Sequence, residues 1–336
     1  MDPILGNELV RARLWKAADE DRLHHCYLFE GPAGVGKATT ARRLALYVNC
    51  EAPPPMLGPP PPRPCGECRS CRLILAGTHP DVITVVPDPE KSGRVITAEQ
   101  AREVIAALQL QRHSARRRFV ILDPADALNE ESANALLKTL EEPAAGTQFV
   151  LVTARAAALL QTVRSRSQRV RFGPVSREET VAWLVGRGLD PRLAVDAQGS
   201  PGLALRLAEG EAAERAAVAD AVVAVAGQPL HKLFALTEPA GKREDGGNEK
   251  AERVVDAVEA LVRDAALLHL GRADGVLHEA HAPALRRWGA AMWPGGVARM
   301  QRAVADARDR LRLHVNGRTV LDALMAALNQ ELSRVS

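Results

Sequence analysis

The chain has 336 residues, 46% of them hydrophobic and 25% charged, with a formal net charge of +3 and a pI near 8.7. That balance excludes a disordered or collagen-like chain, and the length predicts two or three domains. No stretch reaches the ~18 apolar residues of a membrane span, Met1-Asp2-Pro3-Ile4 has no signal-peptide pattern, and aromatics at 3% argue against a stacking platform for single-stranded nucleic acid.

Reading from the N-terminus, the first apolar run, Cys26–Phe29, predicts a strand. Gly31-Pro32-Ala33-Gly34-Val35-Gly36-Lys37 follows it and opens a helix over Thr39–Asn49. Gly31, Gly34 and Gly36 let the backbone curl with its N–H groups inward, the helix start adds positive potential, and Lys37 reaches the phosphates. The segment therefore predicts a nucleotide site for ATP or ADP. A working loop carries Ser or Thr after the Lys, because the hydroxyl ligates Mg²⁺; this chain has Ala38. Thr39, the next residue and a candidate to line the same site, lies about 100° further round the helix and cannot take over that bond directly.

Five cysteines follow from Cys26 onward, an odd number with four of them inside a short segment. In a cytoplasmic chain such a cluster points to metal, not to disulfides. Cys50 is followed, after the Pro-rich stretch Glu51–Pro64, by Cys65-Gly66-Glu67-Cys68-Arg69-Ser70-Cys71. The overlapping Cys-x2-Cys units gather three thiolates and Cys50 supplies a fourth, a set that suits tetrahedral Zn²⁺ with a closed, structural shell. An iron–sulfur cluster is the rival reading. Cys26, beside Tyr27 and Leu28 in an apolar run, reads as core. The Pro-rich stretch reads as a stiff surface loop.

Strands are then expected at Val82–Val86, Phe119–Leu122, Phe149–Thr153 and Val170–Phe172, and helices at Ala98–Gln111 and Glu130–Glu142. Asn129 is the expected N-cap of the last helix, and Ala133, Leu136, Leu137 and Leu140 form its apolar stripe. Alternating strands and helices predict a parallel sheet covered by helices, an α/β P-loop domain. Arg112, Arg116, Arg117 and Arg118 read as a basic patch on an exposed loop. The strand ending in Asp123 places a carboxylate at the sheet edge, where it can hold Mg²⁺ through water. The next residue, the general base in ATPases of this architecture, is Pro124, which accepts no proton; losing such a base costs about 10²–10⁴ in rate. Asp126 is expected to face elsewhere. In Thr162-Val163-Arg164-Ser165-Arg166-Ser167 one arginine can project from the domain edge toward a phosphate on a neighbouring subunit, or the run is simply a solvated basic face. Only seven of the 44 basic residues are lysine, a bias read as composition, not as a binding signature.

After Gly173-Pro174 no strand is predicted. Ser176 and Glu179 form a capping box, a short helix follows near Arg192–Asp196, Gly199-Ser200-Pro201-Gly202 breaks the pattern, and helix resumes at Leu203. From about Glu211 the chain reads as long helices, interrupted by an exposed charged loop over Gly241–Asn248.

Together these residues resemble the bacterial clamp-loader subunits of the AAA+ class. The likeness is carried by His25-Cys26-Tyr27-Leu28-Phe29-Glu30-Gly31-Pro32, by the thiol cluster running into Ala76-Gly77-Thr78-His79-Pro80-Asp81, by Asn134–Pro143, by Arg164-Ser165-Arg166-Ser167, and near the end by Asn316–Leu324. The resemblance implies an AAA+ nucleotide-binding-like domain over residues 1–173 with a zinc module at 50–71, a small helical lid at 174–210, and an all-α collar at 211–336 through which five subunits form a ring. It implies that Arg166 falls at the family's trans-acting arginine finger, with Ser167 in place of the family's Cys, and Thr153 at its first phosphate sensor. The implied partners are the motor (gamma/tau) and delta subunits, the sliding clamp and primer–template DNA, with no membrane.

Three departures distinguish this chain from the motor subunits of that family: Ala38 for the Mg²⁺ ligand, Pro124 for the base, and Gly202 where the lid's Gly-Ser-x-Arg carries its Arg. The expectation is a non-hydrolysing clamp-loader subunit and component of a DNA polymerase holoenzyme, able to bind ATP or ADP through Lys37 without turning it over. The alternatives are an active motor subunit and a zinc-dependent DNA-binding module of a repair pathway.

Overall fold

The computed structural model describes residues 4–52, 63–88, 95–241, 247–273, 275–313 and 315–333. The chain divides into two compact units, Met1–Leu205 and Arg206–Ser336. Most of the Pro-rich stretch and of the charged loop before Asn248 lie outside the described residues; Gly247 and Asn248 are not loop but open a helix.

In the first unit, α1 (Glu8–Asp19) precedes β1 (Cys26–Glu30), α2 (Lys37–Asn49), α3 (Arg69–Leu75), β2 (Val82–Val85), α4 (Ala98–Gln109), β3 (Arg118–Leu122), α5 (Glu130–Glu141), β4 (Thr147–Thr153), α6 (Gln161–Ser165) and β5 (Gln168–Arg171). The strands form one parallel sheet in the order β2-β3-β4-β1-β5. β1, β3 and β4 are buried at every position, as a sheet covered on both faces requires. Phe29, Tyr27, Ile121 and Val150 pack on one side with α2, and Leu28, Val120, Leu122 and Phe149 on the other with α4 and α5. The expected apolar runs are thus the strands, except that β5 starts at Gln168, before the apolar run, and is an exposed edge. Its place in the sheet comes from β1, whose Glu30 it pairs, and not from its own hydrophobicity.

The Asn129 side chain caps α5, accepting from the Ser132 N–H at 2.8 Å. Of the expected basic patch, Arg118 is a correction: its side chain is 4% exposed. It enters the core because Asp81 waits there to pair with it and because the end of α4 offers the carbonyls of Ala107, Leu108 and Leu110 at 3.0–3.1 Å. Arg117 is also largely covered and pairs with Asp21.

Past the sheet lie α7 (Arg177–Val185), opened by the Ser176–Glu179 capping box, α8 (Leu193–Asp196) and α9 (Pro201–Arg206). Leu184, Ala194, Ala197 and Ala204 form a small core of their own. The supposed break at residues 199–202 is the start of α9, two residues earlier than expected. The Ser200 hydroxyl accepts from the Leu203 N–H at 3.1 Å, and Pro201 occupies the first turn, where its missing N–H costs nothing.

The second unit is all helical in its described residues: α10 (Ala212–Val225), α11 (Leu230–Thr237), α12 (Gly247–His269), α13 (Ala282–Met292), α14 (Gly296–Arg312) and α15 (Gly317–Leu332), with short irregular turns. α12 is its axis, packing on α10, α13, α14 and α15. Gly289 of α13 allows that approach, since a Cβ there would stand 2.4 Å from the Ala265 carbonyl oxygen. Buried Asp264 holds the turn before α13, accepting from the backbone N–H groups of Leu277 and His278 at 2.9 Å. No described helix is long and apolar enough to cross a membrane.

Candidate nucleotide cleft, thiol cluster and edge arginine

The phosphate loop joins β1 to α2 and lines a cleft of about 510 Å³. Gly34 and Gly36 hold φ of 73° and 92°, backbone that favours glycine. Ala38 and Thr39 line the cleft from α2, Asp123 and Pro124 from the end of β3, Thr153 from β4, and Ile4, Trp183 and Arg187 from outside the sheet. Sequence reasoning did not single out Trp183 or Arg187; the Arg187 guanidinium carbon stands 4.7 Å over the Trp183 ring.

Lys37 is buried and folded back on the loop, its Nζ donating to the carbonyls of Gly31 at 2.8 Å and Pro32 at 2.5 Å. Burial pushes its pKa down, against the pull of Asp123 and Asp126. Asp123 is raised by burial, with Lys37 opposing. Residues at the start of α9 close directly on the loop: Gly202 N–H donates to the Gly34 carbonyl at 2.9 Å, and a Cβ on Gly34 would stand 2.2 Å from the Ser200 hydroxyl.

Thr153 does not stand free. Its hydroxyl donates to Asp126 Oδ1 at 2.7 Å and accepts from the Arg155 N–H at 2.8 Å, while the Arg155 guanidinium grips Asp126 Oδ2 at 2.6 and 2.8 Å. Asp126 therefore faces Arg155 and Thr153 and is not a spare base. Nothing in the sequence marked Arg155, since its partner lies 29 residues away. A similar clamp fixes the start of the loop: Glu30, 7% exposed, accepts from Arg169 and Arg171 of β5 at 2.6–3.0 Å. In chemical terms the cleft offers a cation and a curled backbone for phosphate, with Ala38 in place of a hydroxyl directly after Lys37 and Pro124 in place of a carboxylate directly after Asp123.

The Sγ atoms of Cys50, Cys65, Cys68 and Cys71 lie within 4.8 Å of one another. Thiolates at about 2.3 Å from one tetrahedral metal ion stand ~3.8 Å apart, and Cys65 and Cys71 are 4.0 Å apart. Backbone N–H groups point at the sulfurs as they would at thiolates: Cys65 N–H to Cys50, Cys68 N–H to Cys65, and the N–H groups of Glu51 and Cys71 to Cys68, at 3.3–3.4 Å. The N–H groups of Cys68 and Glu67 draw the Cys65 thiol down to about 6, whereas burial raises Cys71. The donor set fits a metal ion held by four thiolates. Cys26 is not part of it: the thiol is fully buried in β1 and burial pushes it up to about 11.

The module is tied to the sheet through the His79-Pro80-Asp81 segment. His79 Nε2 meets the Ser70 hydroxyl of α3 at 3.3 Å, and its Nδ1 accepts from the Asp81 N–H at 3.0 Å. Asp81 accepts from the backbone N–H groups of His113, Ser114 and Ala115 and from Arg118. Sequence reasoning used this segment only as a resemblance; its physical work is to dock the module.

Arg166 follows the last residue of α6, far from the loop in sequence. Its guanidinium donates to the Thr162 carbonyl at 2.9 Å and forms an ion pair with Glu141. Ser167 donates to the Val163 carbonyl at 2.9 Å and touches the Cys26 sulfur at 3.2 Å, which pins the end of α6 to β1.

A family model described as "DNA polymerase III, delta subunit" matches residues 6–176. The DNA polymerase III subunit delta' of Pseudomonas aeruginosa is 34% identical over 62% of this chain and 64% of its own length. The protein of the same name from Escherichia coli K12 is 36% identical over 56% of each chain, and that from Bacillus subtilis 28% identical over 96% of this chain and 97% of its own. The chain thus spans less than two thirds of the length of the first two relatives.

Proposed function

The chain belongs to the DNA polymerase III delta-subunit family, and from that premise we propose that it is a non-hydrolysing, delta'-type member of the clamp loader. In this reading it joins motor (gamma/tau) and delta subunits in a five-membered ring in the cytoplasm and helps place the sliding clamp on primed DNA. Residues 1–173 act as the nucleotide-binding-like domain, 174–210 as the lid and 211–336 as the collar.

The observation that carries the reading is the cleft itself. Gly34, Gly36 and Lys37 keep a cradle for the phosphates of ATP or ADP, and Thr39 and Asp123 border it; Gly31, expected in the same cradle, does not line the cleft and instead accepts from Lys37 through its carbonyl. The groups that would fire hydrolysis are replaced or committed: Ala38 has no hydroxyl for Mg²⁺, Pro124 accepts no proton, Gly202 brings no arginine, and Thr153 is spent on Asp126 and Arg155. Without a base and a metal ligand, positioning alone does not activate water. Arg166 is read as an arginine finger serving the ATP site of an adjacent motor subunit, where such a charge contributes about 10³–10⁵ in rate. Cys50, Cys65, Cys68 and Cys71 would hold a zinc ion, which supplies folding energy and no chemistry, because four thiolates leave no open position.

The test has two arms. The isolated chain is expected to show no Mg²⁺-dependent ATP turnover above background, and substantial turnover would instead make it a motor subunit. In the reconstituted complex, Arg166→Ala is expected to leave assembly intact and to remove turnover at the one site it serves. Wild-type turnover in that complex would eliminate the finger.

A further inference from the structure

We propose that Glu141 is the positioning residue of Arg166, an inference that rests on reading Arg166 as acting in trans. The two residues are brought together by the ends of two helices, since Glu141 closes α5 and Arg166 follows the last residue of α6. The guanidinium is held at two points, by Glu141 on one amino group and by the Thr162 carbonyl at 2.9 Å on the other. The backbone beneath it is fixed independently by Ser167. Both partners remain partly exposed, Arg166 at 35% and Glu141 at 43%.

That exposure decides between two roles. A carboxylate that claimed the charge would compete with the phosphate and slow the neighbour. One that merely helps hold the side chain in one place, beside the Thr162 carbonyl, removes rotamer freedom that a free arginine would have to give up on meeting the phosphate. An exposed ion pair is screened and weak, whereas an arginine side chain carries substantial rotamer entropy. The pair alone is thus weak enough to be exchanged for a phosphate, while together with the Thr162 bond it narrows the rotamers that Arg166 samples. Glu141 keeps the fork of Arg166 at the domain edge and yields it to a doubly charged phosphate oxygen cluster, a stronger partner than one carboxylate.

The experiment is a double-mutant cycle on the reconstituted complex, with Glu141→Gln, Arg166→Ala and the pair, reading steady-state ATP turnover. Glu141→Gln keeps the size of the side chain and removes its charge. The expected result is a three- to tenfold fall in turnover at the served site, about 0.7–1.4 kcal/mol, with KM for ATP within about twofold and no further effect of Glu141→Gln once Arg166 is Ala. An unchanged or raised turnover in Glu141→Gln would overturn the positioning role. So would an equal loss in the Arg166→Ala background, which marks a structural effect; unchanged melting of Glu141→Gln provides the control for that. Arg166→Ala with wild-type turnover removes the finger, and the role of Glu141 with it; a loss in Arg166→Ala alone leaves the finger standing and refutes only Glu141.

Discussion

Asp81→Asn is the substitution whose cost the structure determines best. Asp81 is fully buried. Its Oδ2 accepts from the N–H groups of His113, Ser114 and Ala115 at 3.0–3.1 Å, and its Oδ1 from Arg118 Nε and Nη2 at 3.3 and 3.2 Å. An amide has one acceptor oxygen, so whichever way Asn turns, an NH₂ group faces either backbone donors or the guanidinium. Breaking one side of a buried ion pair costs about 3–5 kcal/mol. Arg118 keeps the carbonyls at the end of α4, which argues for the lower end, about 3 kcal/mol. For a unit of this size that is a fall in Tm of about 6–12 °C, read by calorimetry on the full chain. The pH dependence is a second check. Burial raises the Asp81 carboxyl, but the three N–H groups and Arg118 outweigh it and hold the pKa below its usual range. A depressed pKa gives stability that is complete above the unfolded value, about 3.9, and is lost as pH falls through the folded one. The gap between wild type and Asp81→Asn is therefore expected to be constant from neutral pH down to about 5 and to narrow below about 4. A Tm change under about 2 °C, or a gap that widens in acid, would refute the reasoning.

Two further outcomes follow from the same geometry. A strong chelator, or Cys68→Ser, is expected to release one metal ion per chain, expose the cluster's thiols (four with the chelator, three in Cys68→Ser) and lower the Tm of the chain by several degrees; a metal-free chain with undiminished Tm would remove the structural role. Gly34→Ala combines a φ of 73° with a Cβ 2.2 Å from the Ser200 hydroxyl, so it is expected to cost about 1–3 kcal/mol in urea unfolding, partly recovered by Ser200→Gly; no loss would mean that the start of α9 does not bear on the loop.

The features legible in the sequence are those whose physics is local. β1, β3 and β4 are apolar throughout because both faces of the sheet are covered, and α5 shows its cap and its stripe. The phosphate loop and the three thiols of residues 65–71 are contiguous. α1 escaped notice because its entry residue, Asn7, sits in left-handed backbone (φ 53°) and caps nothing with its side chain. α3 and α6 span seven and five residues, too short for a period to show. β5 had only Val170 and Phe172 to announce it, yet pairs through Gln168 to Arg171.

What stayed hidden is the commitment of carboxylates to arginines distant in sequence. Asp81 and Arg118, Asp126 and Arg155, and Glu30 and Arg169 are separated by 37, 29 and 139 residues, and no pattern in the chain links them. The excess of arginine over lysine, read from the sequence as composition, takes on meaning here. Each of these pairs sets Nε and Nη2 of the planar guanidinium on one carboxylate oxygen, a pair of donors with fixed geometry that a lysine ammonium does not present. At Asp126 the grip has a chemical consequence. A carboxylate one turn from Asp123 would, left unpaired, be a candidate base for water in the cleft. Bound by Arg155 on one oxygen and Thr153 on the other, it is already engaged by two partners and turned toward them. The loss of hydrolysis proposed for this chain is therefore not only the missing hydroxyl at Ala38 and the missing carboxylate at Pro124, both visible in the sequence. It is also the diversion of the residues that remain, which only the folded chain brings together.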